Sequence, residues 1–465
     1  MKLGTIIACE SKLGQLEVMG ITDNSQKVED GFVFVDIHNN PQYRADAVKN
    51  GAIALIVENK AEFKNEIVVE NAISTFSQMS EKWFGHPSKD MKLIGVTGTN
   101  GKTTTTYLIK EILEKAGKKV GVIGTIQNVI CGEIMSTVNT TPNAFELNRL
   151  FSIMREKGCE YVVMEVSSHA LEMGRVDGLH FNTAVFTNLT QDHLDYHLNM
   201  ENYYLAKKKL FSMCDNAVIN IDDEYGKRLF GEIDCNKVSI SLDNVADYIA
   251  KSINLQPQYA EYKVLSDEIE HIRVNLPGKF SVYNSLCAVA VADILSLDRE
   301  NTISALREFS GVKGRAEVLK NTGDFTVVID YAHTPDGLKS ILKTFRECTK
   351  NRLILLFGCG GDRDKTKRPI MGEIASLYAD YVIVTSDNPR TEDPSSIISD
   401  ILKGLLPQKP HKVLEKREQA IKFALSIAQK DDIIILAGKG HETYQIIGKE
   451  KIHFDEREVV YSALS

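Results

Sequence analysis

Residues 92 to 110 combine an apolar run, a glycine-spaced turn, Gly98-Thr99-Asn100-Gly101-Lys102-Thr103-Thr104, and a helical pattern. Glycines let a backbone turn its N–H groups on an anion, and the start of a helix adds positive potential. Lys102 and Thr103 stand where a lysine would meet phosphate and a hydroxyl would meet Mg²⁺. The generic phosphate-loop spacing needs a glycine at position 96, where this chain has Val96; its glycines are Gly95, Gly98 and Gly101. Two readings follow: a loop variant with its own spacing, or a turn that needs glycine for conformation alone. The agreement of strand, loop and helix context favours the first.

Other stretches hold chemistry of different kinds. Glu165 ends an apolar run and is followed by Ser167, Ser168 and Arg175, so a carboxylate suited to a metal precedes groups suited to an anion. A helix start capped by Ser167 or Ser168 reads equally well. Asp192, His193, Asp195 and His197 crowd one segment, either as metal ligands or as a solvated loop. The run 206-AKKKLF-211 that follows would ordinarily be a charged helix face. Farther on, 358-GCGGDRDKTKRP-369 and 385-TSDNPRTEDP-394 mix turns with arginines and acids, and 437-AGKGHETYQ-445 adds Glu442. Arginine forks capture carboxylates and acids hold ammonium groups, so a zwitterionic amino acid would satisfy both turns. Two polar turns with surface ion pairs are the plainer reading.

These groups need elements to hold them. Short β-branched runs at 92–97, 119–124, 160–166, 183–188 and 217–221, and again at 326–331, 353–358, 381–386 and 433–438, alternate with longer amphipathic stretches. That is the pattern of parallel α/β sheets, which bind ligands beyond the carboxyl ends of their strands. With 465 residues the chain exceeds one core of about 100 to 200 residues, and three domains are expected. Breaks around 84–92 and 310–318 divide it into 1–88, 89–313 and 314–465. A net charge of −8 argues against a binder of nucleic-acid backbones. Eight scattered cysteines without a C-x-x-C pair suggest neither zinc nor a disulfide framework, and fit a reducing cytoplasm. No run is long enough to span a bilayer, and Ile6-Ile7-Ala8-Cys9 lacks the apolar stretch of a signal segment.

Taken together, and nearly end to end, these segments closely resemble the Mur ligases, within them the branch that adds the third residue to the cell-wall precursor. The family's loop reads Gly-Thr-x-Gly-Lys-Thr, which accounts for Val96. The resemblance implies an α/β fold in three domains: a smaller N-terminal α/β domain for the UDP-substrate, a central P-loop-type parallel-sheet ATPase domain, and a C-terminal Rossmann-like domain for the amino acid. It implies ATP on Gly98 through Thr104, with Asn284, Arg315 and Asp330 as adenine, γ-phosphate and ribose contacts. Mg²⁺ would be held by Thr103, Glu165, His193 and Lys207, the last as a CO₂-derived carbamate; Lys102, Lys207, His193 and Arg315 would be catalytic. Ser25, Asn139, Thr140, Thr141, Ser167 and Arg175 are expected to hold UDP-MurNAc-L-Ala-D-Glu. Arg363, Asp387, Asn388, Pro389, Arg390, Gly438 and Glu442 are expected to hold the amino acid. Arg390 in Asp-Asn-Pro-Arg is similar to enzymes that take meso-diaminopimelate, whose second carboxylate needs a cation. L-lysine addition, a related Mur-type or folylpolyglutamate ligase, and a non-catalytic precursor-binding regulator are the alternatives. The chain departs from the family at Asn24-Ser25-Gln26, at Met173 and at Lys313-Gly314-Arg315-Ala316. A monomer that binds no nucleic acid and does not insert into a membrane is expected.

Overall fold

The computed structural model describes residues 1–60, 63–137, 139–266 and 269–464. The chain forms two compact units: Met1–Ile240 with Cys287–Asp298, and Ser241–Leu286 with the chain from Arg299 onward. All nine strand-like runs of the sequence are strands. Among the described residues no helix is long and apolar enough to cross a membrane.

The first unit holds two sheets. The smaller is parallel and takes Gly20–Thr22, Phe32–Val35, Ala54–Val57 and Glu66–Val68 in chain order. Helix Pro41–Lys49 crosses over within it, and Ala72–Trp83, capped by Asn71, follows it. The larger sheet runs Asn236–Ser241, Cys214–Asn220, Phe181–Phe186, Lys92–Thr97, Tyr161–Glu165 and Val120–Ile123, all parallel. Two short antiparallel strands, Asn128–Ile130 and Glu133–Met135, extend its far edge. Lys92–Thr97 is central because its β-branched residues are buried on both faces, as a sheet covered by helices requires. Its next strands in chain order lie on one side and Phe181–Phe186 on the other. The loop after Thr97 therefore opens at the point where strand order reverses, the usual ligand position in such sheets. Phe151, Met154, Phe181 and Phe186 pack the core beneath it. Each such side chain contributes on the order of 1.5–3 kcal/mol by leaving water.

The second unit has a parallel sheet in the order Thr326–Asp330, Ile433–Ala437, Leu353–Phe357, Tyr381–Val384 and His411–Val413, with Glu317–Val318 antiparallel at the edge. Its central strands are wholly buried, and Leu355, Phe345 and Met371 lie in the core on one face. A hairpin, Tyr444–Ile447 with Glu450–His453, stands beyond the sheet. Antiparallel strands Tyr248–Leu255, Ala260–Leu265 and Ile269–Val274 also belong to this unit, and the sequence reading missed them. Ala260–Leu265 buries every second residue, and none of the three forms a continuous buried run.

Candidate active site

The turn after Lys92–Thr97 is built as a phosphate loop must be. Gly98 has φ 148°, and a Cβ there would sit 1.9 Å from Thr187 Oγ1. Gly101 has φ 86° and caps helix Lys102–Lys115. Lys102 Nζ donates to the carbonyls of Gly98 at 2.8 Å and Thr99 at 2.9 Å. Asn100 N donates to Asn188 Oδ1 at 2.9 Å, which fixes the loop to the next strand end. Thr103 and Thr104 are buried in the first helical turn. Val96 lies inside the strand, fully buried, so the generic glycine position is not part of this turn.

A second lysine reaches the same carbonyl. Lys207 Nζ donates to Gly98 O at 2.9 Å and lies 4.6 Å from the Tyr203 ring centroid. Its neighbours in the run differ: Lys208 pairs with Glu232 and Lys209 with Glu172 at the surface. Lys207 alone is buried, on helix Met200–Lys208. Burial, with the Lys102 ammonium nearby, pushes its amine well below the ordinary lysine range. The charged-face reading thus holds for two lysines of the run and fails for the first.

Glu165 ends its strand beside the loop. Its Oε2 accepts from Thr103 Oγ1 at 2.9 Å. Thr125, just after strand Val120–Ile123, donates to the same carboxylate through its N–H at 2.8 Å and its hydroxyl at 3.0 Å. Thr125 Oγ1 also meets Thr140 Oγ1 at 3.1 Å. Thr141 Oγ1 donates to the Glu165 carbonyl at 2.8 Å, and the Ser167 N–H donates to Thr141 Oγ1 at 3.1 Å. Arg175 Nη1 donates to Thr141 O at 2.9 Å. Glu165, Thr140, Thr141, Ser167 and Arg175 are therefore one connected network. Ser167 also caps the short helix Ser168–Glu172, so its bland reading holds as well.

His193 is reached by strained backbone. Its φ is 52°, and that of Leu198 is 70°, both in the region that non-glycine residues rarely enter. The imidazole lies half-exposed, 3.4 Å from Asp192 and with its ring centroid 4.9 Å from that of His169. Burial and the neighbouring cations lower its pKa. His197 is buried instead, its Nε2 2.9 Å from Ser168 Oγ and its ring stacked on Tyr203. Among the described residues no three His, Cys, Asp or Glu side chains gather closely enough to hold a metal by themselves.

A cavity of ≈ 1580 Å³ in the same unit is lined by Ser25, Asn139 and Arg175, together with Asn24, Gln26 and Met173 at the positions of departure. Arg175 Nη2 touches Met173 Sδ at 3.4 Å. Asn143, the cap of helix Ala144–Glu156, donates to Asp23 at 3.3 Å across this cavity's wall. Val138, the first residue of the Val-Asn-Thr-Thr-Pro-Asn segment, lies outside the described residues.

In the second unit, Asp330 accepts backbone N–H groups of Ala316 at 2.7 Å and Ala332 at 2.8 Å. Burial raises its pKa. The Arg315 guanidinium lies 5.1 Å from the Tyr331 ring centroid, with its Nε buried and unpartnered. Asn284, on helix Lys279–Ile294, likewise leaves Nδ2 buried without a hydrogen-bond partner among the described residues.

The turns after strands Leu353–Phe357, Tyr381–Val384 and Ile433–Ala437 meet one another. Asp387, Asn388 and Pro389 are buried, and Arg390 has φ 52° while Nη1 donates to Gly361 O at 2.7 Å. Arg363 is exposed on the neighbouring loop. Gly438 has φ 114°, and a Cβ there would lie 2.5 Å from Asp387 Oδ2. Glu442 Oε2 accepts from Asn388 Nδ2 at 2.9 Å. Glu392 ties the two loops, since it accepts from the Asp362 N–H and from buried Arg368. The sequence reading did not single out Thr125, Tyr203, Lys439 or Glu392. Thr125 carries a usable signal, a hydroxyl at the carboxyl end of a strand.

Residues 96–292 match the Mur ligase middle domain and residues 314–440 the Mur ligase, glutamate ligase domain. A UDP-N-acetylmuramoyl-L-alanyl-D-glutamate--2,6-diaminopimelate ligase of Caldanaerobacter subterraneus is 45% identical over 97% of this chain and 95% of its own. The enzyme of that name from Bacillus cereus is 41% identical over 100% and 99%. A solved structure of such a ligase superposes with a TM-score of 0.75 at 33% identity, covering 100% of this chain and 98% of its own. A folylpolyglutamate synthase of Mycobacterium tuberculosis, at 18% identity and a TM-score of 0.62 over 78% of this chain and 92% of its own, shares the fold. With phosphate loop, buried lysine and paired strand-end turns on one chain that matches such enzymes throughout its length, this protein belongs to the Mur ligase family.

Proposed function

We propose that this protein is an ATP-dependent amide ligase that adds meso-diaminopimelate to UDP-MurNAc-L-Ala-D-Glu in peptidoglycan precursor synthesis. The carboxylate of the D-glutamate end attacks the γ-phosphorus of ATP, and ADP leaves. The amine of diaminopimelate then attacks the acyl carbon, phosphate departs, and the amine proton passes to solvent. Such transfers rest on positioning and charge rather than on covalent help from the protein. Gly98 through Thr104 would cradle the phosphates, with Lys102 exchanging its loop carbonyls for phosphate oxygens.

The hydroxyl of Thr103 beside the Glu165 carboxylate is a hard oxygen pair that suits Mg²⁺. His193 and Lys207 complete the proposed set. Mg²⁺, when bound, would neutralise charge on the phosphates. Burial disfavours the charged form of the Lys207 amine, and in its neutral form the amine can take up CO₂ with loss of one proton; the resulting carbamate would offer oxygens where an ammonium would repel the metal. Asn284, Arg315 and Asp330 are assigned to the rest of ATP, and the cavity with Ser25, Asn139 and Arg175 to the nucleotide-sugar. The boundaries 1–88, 89–313 and 314–465 divide the chain into three domains, with nucleotide-sugar contacts drawn from the first and second and ATP contacts from the second and third, and the two family matches fall inside the second and third. A monomer working in the cytoplasm, where ATP and precursor are made, completes the reading.

The observation that carries the specificity is Arg390 at the rim of the Asp387–Arg390 turn, a cation for the second carboxylate of diaminopimelate. Amide product should be measured with UDP-MurNAc-L-Ala-D-Glu and Mg-ATP, with meso-diaminopimelate and L-lysine offered in parallel, and repeated on Arg390→Ala. Strong preference for diaminopimelate that collapses in the variant is expected. Preference for lysine would refute the specificity, and absence of product with either would refute the ligase.

A further inference from the structure

Two lysines of this chain are buried in polar surroundings, and they differ in company. Lys207 meets a carbonyl and an aromatic face. Lys439, fully buried in the turn after strand Ile433–Ala437, meets acids. Its Nζ donates to Glu442 Oε2 at 3.1 Å and to Asn388 Oδ1 at 3.1 Å, and stands 3.9 Å from Asp387 Oδ1.

Asn388 Oδ1 also accepts the Ile446 N–H at 2.9 Å. With two donors on that oxygen, the amide cannot flip, and Nδ2 is held on Glu442. Lys439 thus settles two properties at once. It fixes the orientation of Asn388, and it leaves Asp387 and Glu442 with a summed charge of −1 rather than −2. One residual negative charge among rigid groups is what a single substrate ammonium needs. Two unbalanced carboxylates would repel one another and would take up a proton or move apart.

We propose that Lys439 is a positioning residue for the incoming amino acid, acting through Asn388 and Glu442; this rests on the ligase reading above. Its effect belongs to the amino acid alone, since ATP and nucleotide-sugar are assigned to other residues.

KM should be measured for meso-diaminopimelate, ATP and UDP-MurNAc-L-Ala-D-Glu on the unaltered chain, on Lys439→Met, on Glu442→Gln and on the double variant. In Lys439→Met, KM for diaminopimelate should rise by roughly 30-fold or more, as for one partner removed from a buried charged pair. The other two KM values should stay within about twofold. The double variant should be no worse than Glu442→Gln, because the two side chains act as a unit. An unchanged KM for diaminopimelate, a parallel rise in all three, or multiplied effects in the double variant would overturn the proposal. If Lys439→Met does not fold, Lys439→Arg keeps the charge but displaces it, and should still raise KM for diaminopimelate alone; an unaltered KM there would also overturn the proposal. Absence of product from the unaltered chain would instead sink the ligase reading, and this proposal with it.

Discussion

Thr103 Oγ1 and Glu165 Oε2 are 2.9 Å apart, so the first turn of the phosphate-loop helix and the end of the adjacent strand are joined by a hydrogen bond to a carboxylate. Thr125 holds that carboxylate from the other side through both its N–H and its hydroxyl. Three donors leave the carboxylate little freedom, as the proposed role of Glu165 as a metal ligand requires.

Replacing Thr125 by Val removes the hydroxyl and keeps the shape. A hydrogen bond to a charged group contributes about 1.5–3 kcal/mol. In Thr125→Val the Mg²⁺ concentration for half-maximal turnover should rise on the order of tenfold, while KM for diaminopimelate holds. Turnover against Mg²⁺ concentration measures this, and an unchanged curve would remove Thr125 from the site.

Gly98→Ala tests whether the loop glycine is there for its backbone. Alanine at φ 148° costs about 1–3 kcal/mol in strain. Its Cβ would in addition drive Thr187 away from the Asn100 carbonyl, to which Thr187 Oγ1 now donates at 2.6 Å. The variant should melt several degrees lower and bind ATP at least tenfold more weakly. Calorimetry with and without nucleotide separates the two effects.

Much of this site was legible because its signals are local. Glycine spacing with Lys102 and Thr103 marks a loop without knowledge of the rest of the chain, and Glu165 is marked by the end of its own strand. Thr125 carries the same kind of mark, a hydroxyl just beyond its strand, but its partner is not marked: it meets Glu165 only because Val120–Ile123 pairs with Tyr161–Glu165, and such pairing is not written in either segment. The three lysines at 207–209 look alike in sequence, and only the helix phase, with one face on the core, sends the first inward. Lys439 lies in a quoted stretch but reads as an ordinary polar turn residue until its burial against Glu442 is seen. The antiparallel strands between 248 and 274 escaped for a different reason, since polar residues interrupt each of them and none is a continuous apolar run.

Glu392 offers a pH test. The Arg368 guanidinium beside it, with the Asp362 N–H and Lys365, holds its carboxyl at about 2. The folded value lies below the unfolded one of about 4.3. The tie between the loops at 358–369 and 385–394 is therefore fully present above that unfolded value, and is lost as pH falls toward 2. In Glu392→Gln the melting temperature should lie below that of the unaltered chain by a constant amount above pH 5, and the gap should close between about pH 4.5 and 2. Melting curves across that range decide it; a gap that widened toward acid would contradict the sign.

Lys207 and Lys208 are adjacent and should behave as opposites. Lys208 forms a half-exposed pair with Glu232, and such pairs contribute about 0–1 kcal/mol. Lys208→Ala should therefore retain nearly full turnover. Lys207 is buried against the Gly98 carbonyl, and burial pushes its amine well below the ordinary lysine range, which favours the neutral form that reacts with CO₂. Lys207→Ala should abolish turnover, and a short carboxylic acid should restore part of it by standing in for the carbamate oxygens. Unaltered protein prepared without CO₂ should lose activity and regain it on adding bicarbonate, whereas a plain structural lysine would respond to neither treatment. Full activity in Lys207→Ala would mean that neither the amine nor its carbamate is needed, and an absence of any response to CO₂ would mean that the amine itself is the working group.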